Sequence, residues 1–303
     1  MTRYVLFRFI AFFITLLAIM MVMYFALRYA IDAFWVGSPF GDYLRMSWAG
    51  FKAYLDGVMH GNWGTYDGEP VWDVLHDRII LTLKYNLISF AIYLPVGIGI
   101  GIIAGLYPRS IFDKLVTVYN AVMGSIPLYI IMFLLVIYLG VFWRIWFFKY
   151  VGHYGIRNYP IPLIALTLYP IAQLNRVIRS ELIESDTEQY LELALIKGMT
   201  RRRAKLRHSL RNSMTSVVPM IPEVFLYTLT GSFMVELIYR IPGVAQMFFD
   251  SMFALGPFDV WYPSIQIAMV MAIVVFYSVL SLGMNMITDV LIMVIDPRIR
   301  LQE

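Results

Sequence analysis

Six apolar runs, each long enough to cross a bilayer, constrain the fold of this chain more than any other feature. A helix rises about 1.5 Å per residue, so such a run spans a hydrocarbon core of about 30 Å. With 60% hydrophobic and only 15% charged residues, the 303-residue chain has too few charged side chains to cover the surface of a soluble protein. We therefore predict an all-α polytopic membrane protein with six transmembrane helices. The predicted spans are Phe9–Leu27, Ile79–Tyr107, Leu115–Trp143, Ile161–Val177, Val217–Tyr239 and Ile265–Val294.

The basic residues orient these spans. If the N-terminus lies in the cytoplasm, the inner segments hold fifteen of the 24 Lys and Arg residues, as the positive-inside rule requires. Both termini are therefore predicted to lie inside. The chain then divides into an N-terminal transmembrane helix (1–28), an extracytoplasmic loop that we expect to fold as a small cap (29–78), and a five-helix core (79–303).

The chain offers few groups for catalysis or metal binding. It contains no cysteine, which removes disulfides, thiolate nucleophiles and cysteine metal ligands together. No two of its four histidines stand at a metal-binding helical spacing, and it has no Gly-x-x-x-x-Gly-Lys-Ser/Thr phosphate loop. We predict no catalytic residue, no metal site and no cofactor within this chain.

One polar loop, residues 184–212, lies between the fourth and fifth predicted spans. Nine Lys/Arg and five Asp/Glu fall between Arg176 and Asn212, so this stretch accounts for the whole formal charge of +4. Both ends are anchored close to the bilayer, which makes a helix-turn-helix wrapped on DNA implausible. Anionic lipid and a second protein remain as partners for the basic residues.

The 184–212 loop is predicted to form two short helices around a glycine. Ser185 and Glu188 fit a capping box, and Gly198 should end the first helix. A second, basic helix should begin after Thr200. Because lipid contact requires neither the capped acidic helix nor the glycine stop, the pattern favours docking into another protein's cleft. The predicted apolar stripes are Leu191, Ala194 and Leu195 on the first helix, and Leu206 and Leu210 on the second.

Three glycines recur at every fourth position of the second span, at Gly97, Gly101 and Gly105. They therefore share one helical face. Glycine lets two helix backbones approach closely where lipid supplies no hydrophobic drive, so this face is predicted to pack against another helix.

Polar side chains within spans are candidates for a translocation pathway, because burying them in hydrocarbon is costly. Glu223 lies near the inner end of the fifth span, and Gln173 and Asn175 lie in the fourth. The alternative for all three is a hydrogen bond inside the helix bundle.

Several short motifs indicate a family. The polar loop reads Tyr190-Leu-Glu-Leu-Ala-Leu-Ile-Lys-Gly198 and then Leu206-Arg-His-Ser-Leu-Arg-Asn212. This pattern resembles the cytoplasmic EAA loop of bacterial ABC importer permeases, specifically the B-type subunit of the peptide/nickel (oligopeptide/dipeptide) family. Leu193 and Ser216 depart from the pattern, where the family often has alanine and proline. Further matches are Asn62-Trp63-Gly64, Pro70-Val71, Thr82-Leu83, Val235–Gly243 and Asp296–Arg300.

The resemblance implies a type I ABC importer permease in the bacterial cytoplasmic membrane. Such a subunit would form half of the translocation pathway for an oligopeptide and would bind no nucleic acid. Its partners would be a second homologous permease, two ABC ATPase subunits that bind ATP and Mg²⁺, and an extracytoplasmic substrate-binding protein. The coupling helix of the loop would dock on an ATPase. The predicted ATPase-coupling residues are Tyr190, Glu192, Ala194, Lys197, Gly198, Arg203, Arg207 and His208.

Other functions remain open at this point. Members of the same family could carry nickel or another small solute, because the substrate is selected largely by the binding protein. A stand-alone channel or secondary carrier usually keeps ionisable groups at mid-bilayer, and these are sparse here. An intramembrane enzyme would need paired catalytic groups at membrane depth, and no histidine lies in a predicted span.

Overall fold

The fold was determined from a computed structural model, which describes residues 2–37, 39–135, 137–138, 160–255 and 261–295. Its regular structure is mostly helical, with two short antiparallel hairpins. The helices are α1 (Thr2–Trp35), α2 (Phe40–Met59), α3 (Val71–Leu106), α4 (Ile111–Ser125), α5 (Leu128–Leu135), α6 (Pro160–Glu184), α7 (Gln189–Ile196), α8 (Arg201–Ala204), α9 (Leu210–Val217), α10 (Met220–Tyr239), α11 (Val244–Met252) and α12 (Ile267–Ile295). The strands are β1 (Thr65–Tyr66), β2 (Glu69–Pro70), β3 (Phe253–Leu255) and β4 (Trp261–Pro263).

Five single helices in the described part of the chain are long and apolar enough to cross a membrane. They coincide with five of the six runs predicted from the sequence. Helix α1 continues to Trp35 and α3 begins at Val71, so the segment between them is shorter than the predicted loop 29–78. The membrane-length segments are Leu6–Ala33, Val71–Leu106, Pro160–Thr187, Met220–Tyr239 and Ile267–Leu291.

The third predicted span, Leu115–Trp143, is interrupted and does not form one continuous helix. Helices α4 and α5 meet at an angle of 104° across Ile126 and Pro127. Proline disfavours the helical conformation for the residue before it, and Ile126 is accordingly extended, with φ −105° and ψ 122°. The two helices count as a sixth span if both belong to one crossing. Residues 139–159, including the end of the predicted span, lie outside the described residues.

The chain forms two compact units. The first comprises residues 1–82 and 242–286. In it, α2 packs on α1 through aromatic contacts, including Tyr24 against Phe51 and a hydrogen bond from Tyr43 Oη to the Phe25 carbonyl oxygen. A second cluster joins the start of α3 to α11 and α12, and the Val244 amide donates to Thr82 Oγ1 at 3.0 Å. The predicted outer loop therefore contains an ordered helix and the β1–β2 hairpin.

The second unit comprises residues 83–241 and 287–303, and α6 lies in its core. Helix α6 packs against α3 through the three glycines predicted from the sequence. A Cβ on Gly101 would lie 2.9 Å from both the Asn175 carbonyl oxygen and the Ile178 Cβ, and one on Gly97 or Gly105 would meet a leucine of α6. The predicted close-packing face is therefore confirmed.

Hydrogen bonds between side chains also connect the helices of the second unit. Asn86 of α3 donates to Ser232 of α10 at 3.0 Å, and Asn120 of α4 donates to Asn175 of α6 at 2.7 Å. Tyr239 Oη of α10 donates to the Met132 carbonyl oxygen of α5 at 3.3 Å. Polar contacts of this kind stabilise helix association where the surrounding lipid is as apolar as the side chains.

The glycine face can be tested by comparing Gly101→Val with Gly99→Val. Both variants make the same change in helix propensity, so packing dominates the comparison. At Gly101 the new side chain would be forced against the α6 backbone, which we expect to destabilise the protein by about 1–3 kcal/mol. Nothing lies within 4 Å of a Cβ on Gly99, so this variant is the matched control. Thermal melting in detergent measures both, and equal melting temperatures would contradict close packing at Gly101.

Candidate functional site

The 184–212 loop begins as a direct continuation of α6. A 3₁₀ turn, Ser185–Thr187, follows Glu184 without a break, and Ser185 Oγ donates to the Leu182 carbonyl oxygen at 2.9 Å. Glu188 is the N-cap of α7 and its side chain makes no capping bond. The predicted capping box is therefore wrong, because Ser185 is still helical and its hydroxyl is already used on the preceding turn.

Helix α7 ends at the predicted glycine. Gly198 has φ +83°, a left-handed conformation that side chains with a Cβ rarely adopt. Its amide donates to the Leu195 carbonyl oxygen at 2.9 Å, and the Met199 amide donates to the Ala194 carbonyl oxygen at 3.1 Å. These two bonds form a Schellman motif, which satisfies carbonyls that have no partner within the helix. The predicted stop at Gly198 is confirmed.

The second, basic helix of the loop also begins where predicted. Thr200 Oγ1 accepts a hydrogen bond from the Arg203 amide at 3.4 Å and caps α8. Helix α8 then passes through a π-helical turn, Lys205–Ser209, into α9. Such a turn adds a residue to the helical repeat, so it changes which side chains face the bundle.

The inside of the loop is a small apolar cluster. Leu191, Ala194 and Ala204 are buried, and Tyr190 and Met199 pack against them. The predicted stripes are therefore only partly correct, because Leu195 of α7 and Leu206 of the π turn are exposed. Ala194 is 5% exposed, so its methyl group holds α7 against α8 and does not form part of the outer surface.

The outer surface of the loop combines apolar and basic side chains. Leu193 and Ile196 of α7 are 57% and 76% exposed. Next to α8 lies an open groove of about 480 Å³, lined by Thr200, Arg202, Arg203, Leu206 and Arg207. Of the eight predicted coupling residues, Ala194 is buried and Tyr190 is half-buried. The exposed ones are Glu192, Lys197, Gly198, Arg203, Arg207 and His208.

Ion pairs that the sequence analysis missed hold the loop in place. Asp186, in the 3₁₀ turn, pairs with Arg201 at 3.0 Å and with Lys205 at 2.8 Å. The Lys205 ammonium also donates to the Gly105 carbonyl oxygen of α3 at 3.3 Å. The spacing between Asp186 and its two partners is too long for a helical pair within one segment, so local pattern does not indicate it.

A second ion pair joins α4 to α6. Asp113 accepts hydrogen bonds from the Arg179 guanidinium through both carboxylate oxygens, and its Oδ2 also accepts from the Arg109 amide at 2.8 Å. The Asp113 amide in turn donates to Ser110 Oγ, the N-cap of α4. The Ser-x-x-Asp spacing of a helix start was a local pattern that could have indicated this site.

The three candidate pathway residues occupy different environments. Asn175 is buried and bonded to Asn120, which corresponds to the alternative of a hydrogen bond inside the bundle. Glu223 is exposed in the first turn of α10. Gln173 is half-buried and donates to the Tyr169 hydroxyl, whose ring stacks on Tyr227 with centroids 3.9 Å apart.

Membrane-length helices, glycine packing and a capped basic loop together define a multi-pass, all-α membrane protein. A family model described as "Binding-protein-dependent transport system inner membrane component" matches residues 97–301, and the chain belongs to this family. The family has the type I ABC permease fold, so the predicted helical permease fold and the location in the cytoplasmic membrane are confirmed. Six spans and cytoplasmic termini stay predictions. The chain is thus a transport permease rather than an enzyme.

The chain is also similar to named permeases along most of its length. It is 28% identical over 257 residues to the dipeptide transport system permease protein DppB of Lactococcus lactis, covering 84% of this chain and 81% of the relative. It is 25% identical to the oligopeptide transport system permease protein OppB of Haemophilus influenzae, covering 82% and 78%. The OppB protein of Salmonella typhimurium is 27% identical, with 82% and 79% covered. These names agree with the predicted resemblance.

The ion pair between α4 and α6 can be tested with Asp113→Asn. The variant leaves the Arg179 guanidinium next to a neutral amide, and losing a charged partner costs about 1–3 kcal/mol. The value should fall toward the lower end, because Arg179 is partly exposed to solvent. We expect a lower melting temperature in detergent. Asp77→Asn, at a carboxylate 94% exposed, is the control, and a similar loss in both variants would contradict a specific role for Asp113.

Proposed function

We propose that this chain is the transmembrane permease subunit of an ATP-driven oligopeptide importer. It would form half of the translocation pathway together with a second homologous permease, and an extracytoplasmic binding protein would deliver the peptide. The dipeptide and oligopeptide permeases that the chain resembles along most of its length favour a peptide over nickel or another solute. Two ABC ATPase subunits would bind ATP and Mg²⁺, since the chain has no phosphate loop of its own.

The observation that carries this proposal is the construction of the 184–212 loop. Its core is closed by Leu191, Ala194 and Ala204, and its outer surface presents Ile196 beside basic side chains. The loop continues from α6 and leads directly into α9, so it is a short, rigid projection on two helices. Such a projection is suited to a cleft with an apolar floor and an acidic rim, which an ATPase subunit would provide.

The proposed mechanism is alternating access driven by docking. A partner can bias a two-state bundle only if it binds the loop differently in the two states. Closure of the two ATPases around ATP would move the docked loops, and the attached helices would then exchange inward-open and outward-open arrangements. Ala194 would act by holding α7 against α8, and Gly198 by turning the chain between these helices.

The docking role is tested with Ile196→Asp in the complete transporter. This substitution places a charge on the exposed apolar surface of α7 and leaves the buried cluster of the loop unchanged. We expect peptide uptake to fall about tenfold or more, which corresponds to about 1.4 kcal/mol, with less ATPase co-purified. Met59→Asp, at an apolar side chain 84% exposed in α2, is the matched control and should transport normally.

Two harsher variants complete this test. Gly198→Arg forces a side chain onto a left-handed residue, and Ala194→Arg fills a buried position of the loop. Both should abolish uptake while the protein still inserts into the membrane. Normal peptide uptake by Ile196→Asp and Gly198→Arg together would refute docking through this loop.

We also propose that one face of α10 lines the translocation pathway. Glu223 and Thr230 are exposed on α10, and Tyr227 lies between them and stacks on Tyr169 of α6. Gln173 extends this polar surface through its bond to the Tyr169 hydroxyl. The surface thus offers a carboxylate, hydroxyls and an amide, groups that suit the backbone and charged ends of a peptide.

The absence of cysteine makes this face accessible to a direct test. Glu223→Cys and Thr230→Cys should react with a membrane-impermeant thiol reagent in the assembled transporter, and bound peptide should slow the reaction. Leu229→Cys, at a position 4% exposed, should remain unlabelled and serves as the control. If Thr230→Cys is as unreactive as Leu229→Cys, α10 does not line the pathway through this face.

A further inference from the structure

Lys205 is a lysine in the interior of the protein, on the bundle side of the 184–212 loop. It is 2% exposed, and lysine is almost never buried to this extent unless its charge is paired. Its ammonium lies 2.8 Å from Asp186 Oδ1 and donates to the Gly105 carbonyl oxygen at 3.3 Å. Because Lys205 does not reach the outer surface of the loop, a docked partner could not contact it directly.

These two contacts place one charge where three segments meet. Asp186 belongs to the turn between α6 and α7, and Lys205 follows α8. Gly105 is the penultimate residue of α3, where carbonyl groups have no partner within the helix and the helix dipole favours a cation. The lysine thus joins the turn before α7 and the segment after α8 to the end of α3.

The contact between Lys205 and α3 matters because of the order of these segments in the chain. The 184–212 loop is covalently continuous with α6 and leads into α9, whereas α3 lies about a hundred residues earlier in the sequence. The loop can therefore move α3 only through non-covalent contacts. Gly105 also packs against Leu182 of α6, so the end of α3 lies between α6 and the lysine.

We propose that Lys205 is a positioning residue that transmits movement of the docked loop to α3. The inference rests on the proposed function, since it presumes that an ATPase moves the loop. When α7 and α8 shift, the Lys205 ammonium carries the Gly105 carbonyl and the inner end of α3 with them. Helices α3 and α6 then move as one unit, and their glycine contact is preserved.

The test replaces Lys205 by methionine, which has a similar length and no charge. Asp186 keeps its pair with Arg201, so the substitution removes the link to Gly105 and leaves that carboxylate paired. In the complete transporter, we expect normal assembly and ATP hydrolysis. Peptide transported per ATP hydrolysed should fall about fivefold, within the range that loss of one coupling contact produces.

Arg201→Met is the matched control. It removes the other partner of Asp186, but the Arg201 side chain is 63% exposed. Its transport per ATP should stay close to that of the unaltered protein. Lys205→Gln should lie between the two, because its amide can still donate to the Gly105 carbonyl oxygen.

The outcomes separate this proposal from the others. Unchanged transport per ATP in Lys205→Met, or an equal loss in Arg201→Met, would overturn the transmission role. So would a parallel loss of assembly, ATP hydrolysis and uptake in Lys205→Met and Lys205→Gln, which indicates structural support alone. If Ile196→Asp blocks uptake and Lys205→Met does not change it, the docking function stands and only this inference fails.

Discussion

The close contact between α3 and α6 is the interaction on which the second unit depends. In lipid, apolar side chains gain little free energy from contact with one another. Helices therefore associate through close packing of their backbones and through hydrogen bonds. Gly97, Gly101 and Gly105 allow this close packing. Helix α6 occupies the space that their side chains would fill, with its backbone at Gly101 and with leucine side chains at Gly97 and Gly105. The C-terminal end of α6 then continues into the 184–212 loop, so the position of the loop is set by this packing.

Charge reinforces the same arrangement near the C-terminal ends of α3 and α6. Asp113 binds Arg179 and so joins α4 to α6, while Asp186 and Lys205 join the loop to α3. The Asp113–Arg179 pair and the contact of Lys205 with the Gly105 carbonyl each connect segments that are distant in the sequence. Because the charges are largely withdrawn from solvent, each needs its partner in place, and the pairs favour one relative position of these helices. A loop held in this way can act on several helices at once.

Local patterns in the sequence predicted much of the structure correctly. Apolar length predicted six membrane spans, five of which are single helices, and the spacing of glycines at every fourth residue predicted the packing face. Gly198 predicted the end of α7. The failures have identifiable causes. Pro127 breaks an apolar run that hydropathy counts as continuous, and Ser185 lacks the non-helical backbone that a capping box needs because α6 runs into it.

The sequence by itself determined which segments can enter a membrane, where the 184–212 loop turns, and that residues 176–212 carry the net charge. These properties are apolar length, glycine conformation and charge density. Each depends on residues that are close together in the chain. The tertiary structure decided which charges are buried and what they bind. Lys205 resembles the neighbouring basic residues in sequence, yet among them only Lys205, the first residue of the π turn, is buried against Asp186 and the end of α3. That environment is created by helices about a hundred residues apart, and no local pattern encodes it.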